Sequence, residues 1–380
     1  MKNAKSLIGL VVLVLVLVLG GALYLWAKND PAAKKPEPPK KTTITCAGGS
    51  EKTELMADPE VVKLLDEKFG LRVNFVPMGS YKQVLMSSED IRAKGFNCLW
   101  PSSESARSVF ESRHKGAFPG YRAANVLQSP EVVYSGPQAT GALTKAGLVT
   151  EAGGVQTLDI KKLLVENVLK NTTWQSLKAG DLAGPIRIRS TDARTSNSGF
   201  TMAQLQLTVI ATEDAANPPT LAEARKALPT MRRLYETSGL QAASSDDGFR
   251  QWLTQGGEYS APLYAGYENQ LLQQWIKSGK DASLTKDVTM LYPSPTIYSD
   301  HPVLALDADG ARLIQAVQDI EVQKIAWSRY GFRSAVNAGL NDLTAFEGMK
   351  LSKRVRTIPA PNSEVTLAMI DCLDNAAKCS

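Results

Sequence analysis

The chain predicts an α/β fold built as two domains, and three observations lead there. Short β-type runs alternate with helical ones from Thr42 onward, the pattern of sheets flanked by helices. Each β-type run ends in a Gly or Ser turn that opens at once into a helix. At 380 residues the chain exceeds what one compact core serves and suits two domains of ordinary size.

The elements follow in order. TTITCAGGSE reads as a strand ending in Gly-Gly-Ser, and DPEVVKLLDEKFG as a helix with Asp58 as its cap, Pro59 at its first position and Gly70 as its stop. LRVNFVPMGS is a second strand ending in Gly-Ser. NCLWPSSESARSVFESRH gives an apolar stub, a Pro-Ser-Ser loop and a helix; EVVYSGPQATGALTKAG gives a strand, Ser135-Gly136-Pro137 and a helix. The device returns in GPIRIRSTDARTSNSGF, with a strand at residues 185–189 and a helix opening near Gly199. EYSAPLYAGYENQLLQQWIKSG repeats it, with a strand at 261–265 and a helix over 268–277. ARLIQAVQDIEVQKIAWSRYGFR reads as one more helix, with Leu313, Val317, Ile320 and Ile325 on or near its buried face.

In open α/β sheets the loops leaving the carboxyl ends of strands face a common crevice, where ligands sit. Each helix start also presents unpaired N–H groups to an acceptor. Ser50, Ser80, Ser102, Ser135, Ser198 and Tyr267 all occupy such places. A Ser or Asn before a helix is by itself an ordinary cap. Ser196-Asn197-Ser198-Gly199 goes further, because it offers more donors and acceptors than one cap uses; its excess is the argument for a ligand.

The amino terminus holds an uncharged run at residues 7–26, about 30 Å long as a helix and so long enough to span a bilayer. Residues 1–28 are read as a retained anchor; a cleaved signal peptide is the alternative, with Gly20-Gly21-Ala22 as its small residues. Residues 29–41, rich in Pro and Lys, read as an extended tether. The net charge of +5 is small for the length, and much of the excess sits at Lys34, Lys35, Lys40 and Lys41. That argues against a nucleic-acid partner, which would need a basic stripe on a folded face. The four cysteines, Cys46, Cys98, Cys372 and Cys379, lack CxxC spacing, and with only two histidines, His114 and His301, no metal site or cofactor is expected. Two disulfides are preferred over buried thiols, with Cys372 to Cys379 the easier pair; they would imply an oxidising, extracytoplasmic compartment.

Catalysis is not expected. SNSG lacks the glycine that GxSxG requires, the Asp300-His301 pair reads as a turn, and neither GxxxxGK[ST] nor GxGxxG occurs.

The ordered segments GGSE, VNFVPMGS, WPSS, VVYSGP, STDARTSNSG, YENQ, LYPSPTIYSDHP and VQKIAWSRYGFR resemble the bacterial extracellular (periplasmic) solute-binding proteins of the molybdate-binding-like group, over roughly residues 42–336. The resemblance implies a two-lobed, type II periplasmic-binding-protein-like fold with two crossover segments, here preceded by one transmembrane helix. The first lobe would span 42–135 and resume over 294–350, the second would span 136–293, and 351–380 would form a tail that docks or wraps. It further implies closure on a small polar ligand, an oxyanion or other small solute, for delivery to an ABC-type permease or another inner-membrane partner. A membrane-tethered sensor or assembly protein is the alternative. Ser50 and Ser80 would contact the ligand from the first lobe, Ser135 at the crossing, and Ser196, Asn197, Ser198 and Tyr267 from the second. Trp100 and Ser102 are further walls. Glu268 would face the cleft and attract a cation, or cap its own helix. The soluble body is placed in the periplasm, held by a single-pass anchor or free after cleavage.

Overall fold

The computed structural model describes residues 40–213, 216–239 and 241–379. The apolar run at 7–26 and most of the tether lie outside the described residues. No helix among the described residues is long and apolar enough to cross a membrane.

Ten strands run in the order β1 Thr42–Gly48, β2 Leu71–Pro77, β3 Cys98–Trp100, β4 Arg122–Ser135, β5 Val149–Ala152, β6 Val155–Asp159, β7 Leu263–Tyr267, β8 Thr289–Ser294, β9 Tyr298–Ala305 and β10 Arg333–Ser334. The longer helices are α1 Pro59–Phe69, α2 Glu104–Arg113, α3 Pro137–Lys145, α4 Asn197–Thr212, α5 Leu221–Glu236, α6 Ser245–Thr254, α7 Glu268–Lys277, α8 Ala308–Val317, α9 Ile320–Tyr330 and α10 Ser363–Asp374.

One strand organises the sheet. The first part of β4, residues 122–130, pairs with β9, and its last part pairs with β7 over 131–135 on one edge and with β8 over 133–135 on the other. The first half of the molecule therefore holds the run β2-β1-β3-β9-β4, parallel from β2 to β3 and antiparallel beyond. The second half continues through β8, β6 and β5, with β7 on the other side of β4. The chain passes between the halves inside β4 and again between β8 and β9.

Local chemistry accounts for several boundaries. Asp58 accepts from the N–H groups of Glu60 and Val61 at the start of α1, Pro59 stands at its first position, and Gly70 ends it at φ 61°. That left-handed conformation is open to glycine and costly to residues with a Cβ. Three sequence expectations need correction. Residues 185–189 form no strand; they touch β7 at a single bridge, Arg189 with Tyr264, while Ile186 and Ile188 still bury. The alternation is thus satisfied by packing without a ladder. The helix expected over 311–333 breaks at Gln318, because the Asp319 carboxylate caps a new helix by accepting from Glu321 N–H. Ile320 consequently sits at the first position of α9 and is 51% exposed, whereas Leu313, Val317 and Ile325 are buried. Asp300 and His301 lie within β9 rather than in a turn.

Four apolar clusters occur among the described residues, and one of them joins the halves. Tyr81, Val109 and Phe110 of the first half pack with Phe200, Leu207, Leu228 and Met231 of α4 and α5, and with Val365, Met369 and Leu373 of α10. The carboxyl-terminal helix therefore rests on α2 and α5 together.

Both pairs of cysteines are bridged. Cys46 and Cys98 face each other across the parallel pair β1/β3, with Cα atoms 4.7 Å apart; Cys372 and Cys379 close a short carboxyl-terminal turn. Their sequence separations are 52 and 7, so chain-entropy considerations give about 4 and about 2 kcal/mol of constraint on the unfolded chain. Replacing Cys46 and Cys98 with Ala should accordingly lower the melting temperature more than replacing Cys372 and Cys379. Equal losses in a scanning-calorimetry comparison would contradict this ranking.

Candidate functional site

The loops that leave β1, β2 and β3 meet the loops that open α4 and α6 around a cavity of about 140 Å³. Its walls from the first half are Ser50, Glu51, Met78, Gly79, Ser80 and Ser102; from the second half they are Thr195, Ser196, Asn197, Ala243, Ser244 and Ser245. The halves approach closely here. A Cβ added to Gly79 would lie 2.1 Å from the Thr195 carbonyl oxygen, so only glycine allows this backbone contact.

Hydroxyls of the second half form a tight ring. Thr191 Oγ1 lies 2.7 Å from Ser196 Oγ and 2.8 Å from Ser198 Oγ, and Ser245 Oγ is 2.9 Å from both serines. Gly199 N–H donates to Thr191 Oγ1 at 2.9 Å. This network positions the first turn of α4. Asn197 then crosses to the first half: its Nδ2 donates to Ser102 O at 3.1 Å, and its Oδ1 accepts from Ser103 Oγ at 2.9 Å. The same Nδ2 lies 2.9 Å from the Tyr267 hydroxyl, so one side chain links three elements.

Beneath the serines of the first half lies a buried ionic cluster. Lys52 Nζ donates to Glu51 Oε1 at 2.5 Å, to Ser102 Oγ at 2.9 Å and to His301 Nδ1 at 3.1 Å. It also lies 5.7 Å from the centre of the Trp100 ring, within cation–π range. Ser102 Oγ donates to Glu51 Oε1. Burial works against an ionised Glu51, yet the Lys52 charge beside it outweighs that and holds the carboxyl well below its usual range. Burial, with Lys52 beside it, pushes His301 down to about 4. The cluster is thus an ion pair with a neutral imidazole, and with Lys52 donating to Nδ1 the ring proton belongs on Nε2.

Strand register explains this floor. Leu127 faces His301, Ser129 faces Ser299 and Glu131 faces Tyr267, and residues two apart share a face of a sheet. Ser299 Oγ donates to Ser102 O, so this face lies under the cavity. Glu131 is fully buried on it with neither carboxylate oxygen partnered. Burial raises its pKa well above the usual range.

The sequence-derived residues divide on inspection. Ser50, Ser80, Ser102, Ser196 and Asn197 line the cavity. Ser198 lies behind it in the hydroxyl ring, Tyr267 braces Asn197, and Trp100 is buried beside Lys52, donating its Nε1–H to His301 O at 3.1 Å. Ser135 ends β4, with its hydroxyl on Gly136 O, and is not among the cavity walls. Glu268 is engaged elsewhere: Arg333 binds it through two nitrogens at 2.6 and 2.7 Å, and the Tyr292 hydroxyl donates at 2.5 Å. Glu51, Lys52, His301, Thr195, Ser244 and Ser245 escaped the sequence reading. The repeated strand-Ser-helix device signals SSDDGF at residues 244–249, although no strand precedes it; no sequence signal brings Lys52 to His301, 249 positions away. No group of acidic, His and Cys side chains suited to a metal ion occurs among the described residues.

No protein-family model matches the chain, nor does any curated protein. Solved structures do. A periplasmic thiamin binding protein superposes with a TM-score of 0.59 at 12% identity, covering 90% of this chain and 99% of that one. The periplasmic binding protein AfuA from Actinobacillus pleuropneumoniae, with exogenous fructose-6-phosphate bound, gives 0.56 at 12% identity over 87% and 98%. The sulfate-binding protein SubI from Mycobacterium tuberculosis H37Rv gives 0.51 at 13% identity over 83% and 94%. At these identities the likeness is one of fold: a mixed α/β, two-lobed architecture of the periplasmic-binding-protein type.

Two stability consequences follow from the buried charges. Arg333→Met leaves Glu268 buried without its ionic partner, and urea unfolding should show a loss of about 3–5 kcal/mol; a change below about 1 kcal/mol would mean that the pair is not desolvated as described. Glu131 holds its proton more tightly folded than unfolded, so its contribution to stability falls as pH rises from the ordinary glutamate range toward the raised value. Glu131→Gln should melt with the parent near about pH 4 and above it near about pH 8. Parallel melting curves at both values would show that Glu131 has found a partner.

Proposed function

We propose that this chain is an extracytoplasmic solute-binding protein whose two lobes close on a small polar ligand, which is then passed to an ABC-type importer in the membrane. The observation that carries the reading is the cavity of about 140 Å³ walled by hydroxyl, amide and backbone groups from both halves. Ligand sites in this architecture lie where strand ends face each other across a hinge, and the cavity has that position. On this reading Ser50, Ser80 and Ser102 hold the ligand from one lobe, Ser196 and Asn197 from the other, and the lobe boundaries fall inside β4 and between β8 and β9. Opening would break the Asn197 contacts to Ser102 and Ser103 and separate Gly79 from Thr195. A ligand favours the closed form only through its higher affinity for it.

The molybdate-binding-like group is the finer family assignment we propose, on the strength of the TSNSG and YPSPTIYSDHP segments. The two disulfides agree with an extracytoplasmic body, held to the membrane by residues 7–26. Binding rather than catalysis fits the chemistry of the floor. Ser102 contacts Lys52 as in a serine–lysine dyad, but Glu51 opposes the lowering of the Lys52 pKa by burial, and the Ser102 hydroxyl gives its proton to Glu51 rather than to Lys52.

Native mass spectrometry of the gently purified full chain tests the proposal. A small copurifying mass should appear, vanish after unfolding and refolding, and be missing from Ser50→Trp, whose indole would occupy the cavity from a half-buried position. A mass retained by Ser50→Trp would place the ligand elsewhere.

A further inference from the structure

The charges and donors around the cavity also select a ligand class. Resting on the solute-binding reading above, we infer that the cavity takes a small solute with an ammonium or comparable cationic donor group, and not an oxyanion.

Among the residues that wall the cavity, Glu51 is the one charged side chain. Its carboxylate is 4% exposed, and its bonds to Lys52 and Ser102 and its approach to His301 all fall on Oε1. Oε2 carries none of these contacts, and Glu51 is a wall of the cavity. Lys52 offsets part of this charge on the Oε1 side, and a carboxylate oxygen presented to a ligand accepts a hydrogen bond best from a cationic donor.

Several of the donors that would hold an oxyanion are already committed. An ammonium has three donors, and those of Lys52 go to Glu51, Ser102 and His301. The lysine is fully buried beneath the cavity floor. Ser102 gives its proton to Glu51 and accepts from Lys52 and so has none for a ligand. The hydroxyls of Ser196, Ser198, Ser245 and Thr191 are shared around their own ring. The arginines near this loop are also occupied: Arg194 is bidentate to Asp192, Arg189 binds Ser260 O and Arg187 binds Asn171. None of the three lines the cavity. What remains for a ligand is Glu51 Oε2 and the Ser50 and Ser80 hydroxyls, which accept from an N–H as readily as they donate, so Glu51 is the wall group that selects by charge. The volume admits a head group of only a few non-hydrogen atoms.

Calorimetric titration of the full chain separates the alternatives. The probes are methylamine and ethanolamine as ammonium ions, sulfate, phosphate and molybdate as oxyanions, and sodium chloride as the ionic-strength control. We expect the ammonium probes to bind and the oxyanions not to. Glu51→Gln should weaken ammonium binding at least tenfold. Because that variant strands Lys52 in the interior, Glu51→Gln combined with Lys52→Met gives a second version in which both buried charges are gone, and the same loss is expected. Saturable binding of an oxyanion but of neither ammonium probe would overturn the ligand class while leaving the solute-binding reading intact, provided that Ser50→Trp abolishes it. If neither class binds, the ligand class falls, and the solute-binding reading is decided by the copurifying mass. Ammonium binding undiminished in both Glu51 variants would likewise overturn the role given to Glu51.

Discussion

The hydrogen-bonding demand of β4 constrains everything else. Fourteen residues at about 3.3 Å each make an element of roughly 46 Å, too long to be served by one small sheet. Its backbone donors and acceptors are met by β9 and β10 in one half and by β7 and β8 in the other. Because one strand belongs to both halves, the strand ends are brought face to face without a separate linker. The two-residue alternation along β4 and β9 then decides which side chains form the floor. Glu131, Ser299 and His301 are under the cavity for the same reason that Val132 and Tyr134 are in an apolar cluster on the other side.

That floor is costly by the usual rules for polar burial. Two ion pairs, Glu51–Lys52 and Glu268–Arg333, have almost no exposed side-chain surface, and buried pairs do not by themselves stabilise a fold relative to apolar packing. Their difference is informative. Glu268 has both oxygens occupied by Arg333 and Tyr292 and behaves as a structural tie between α7, β8 and β10. Glu51 walls the cavity with one oxygen outside these bonds, and its partner is the lysine whose remaining donors also fix Ser102 and His301. One pair closes a core; the other orients a wall. Glu131, with neither, has its pKa pushed up by burial because nothing nearby supports its charge.

Closure of the cavity depends on contacts that span the halves. Asn197 reaches Ser102 and Ser103, Gly79 lies against Thr195, and Tyr81 packs on Phe200 with ring centres 4.0 Å apart. The carboxyl-terminal helix joins the same cluster through Gln204 to Thr366 and Arg232 to the Leu373 carbonyl. Residues 363–374 therefore take part in the packing between α2 and α5.

Local signals were legible where one short segment carries the whole physical cause. Asp58, Pro59 and Gly70 bound α1 because cap, first-turn proline and left-handed stop act within a dozen residues, and the Ser196–Gly199 segment opens α4 for the same kind of reason. The alternating Ile186 and Ile188 announced burial but not a ladder, since a ladder needs a neighbour that the segment cannot specify. Asp319 split a helix whose apolar periodicity ran on through it, a competition between capping and continuation that pattern alone does not resolve. By itself, then, the sequence determined the α/β order of elements, most helix starts, and the serines and asparagine that line the cavity, because these depend on neighbours along the chain. Only the tertiary structure decided that Lys52 meets His301, that Glu51 rather than Glu268 faces the cavity, and that Glu131 is left without a partner. Those outcomes depend on strand register and on which distant segments share a desolvated space, and neither is written in any local run of residues.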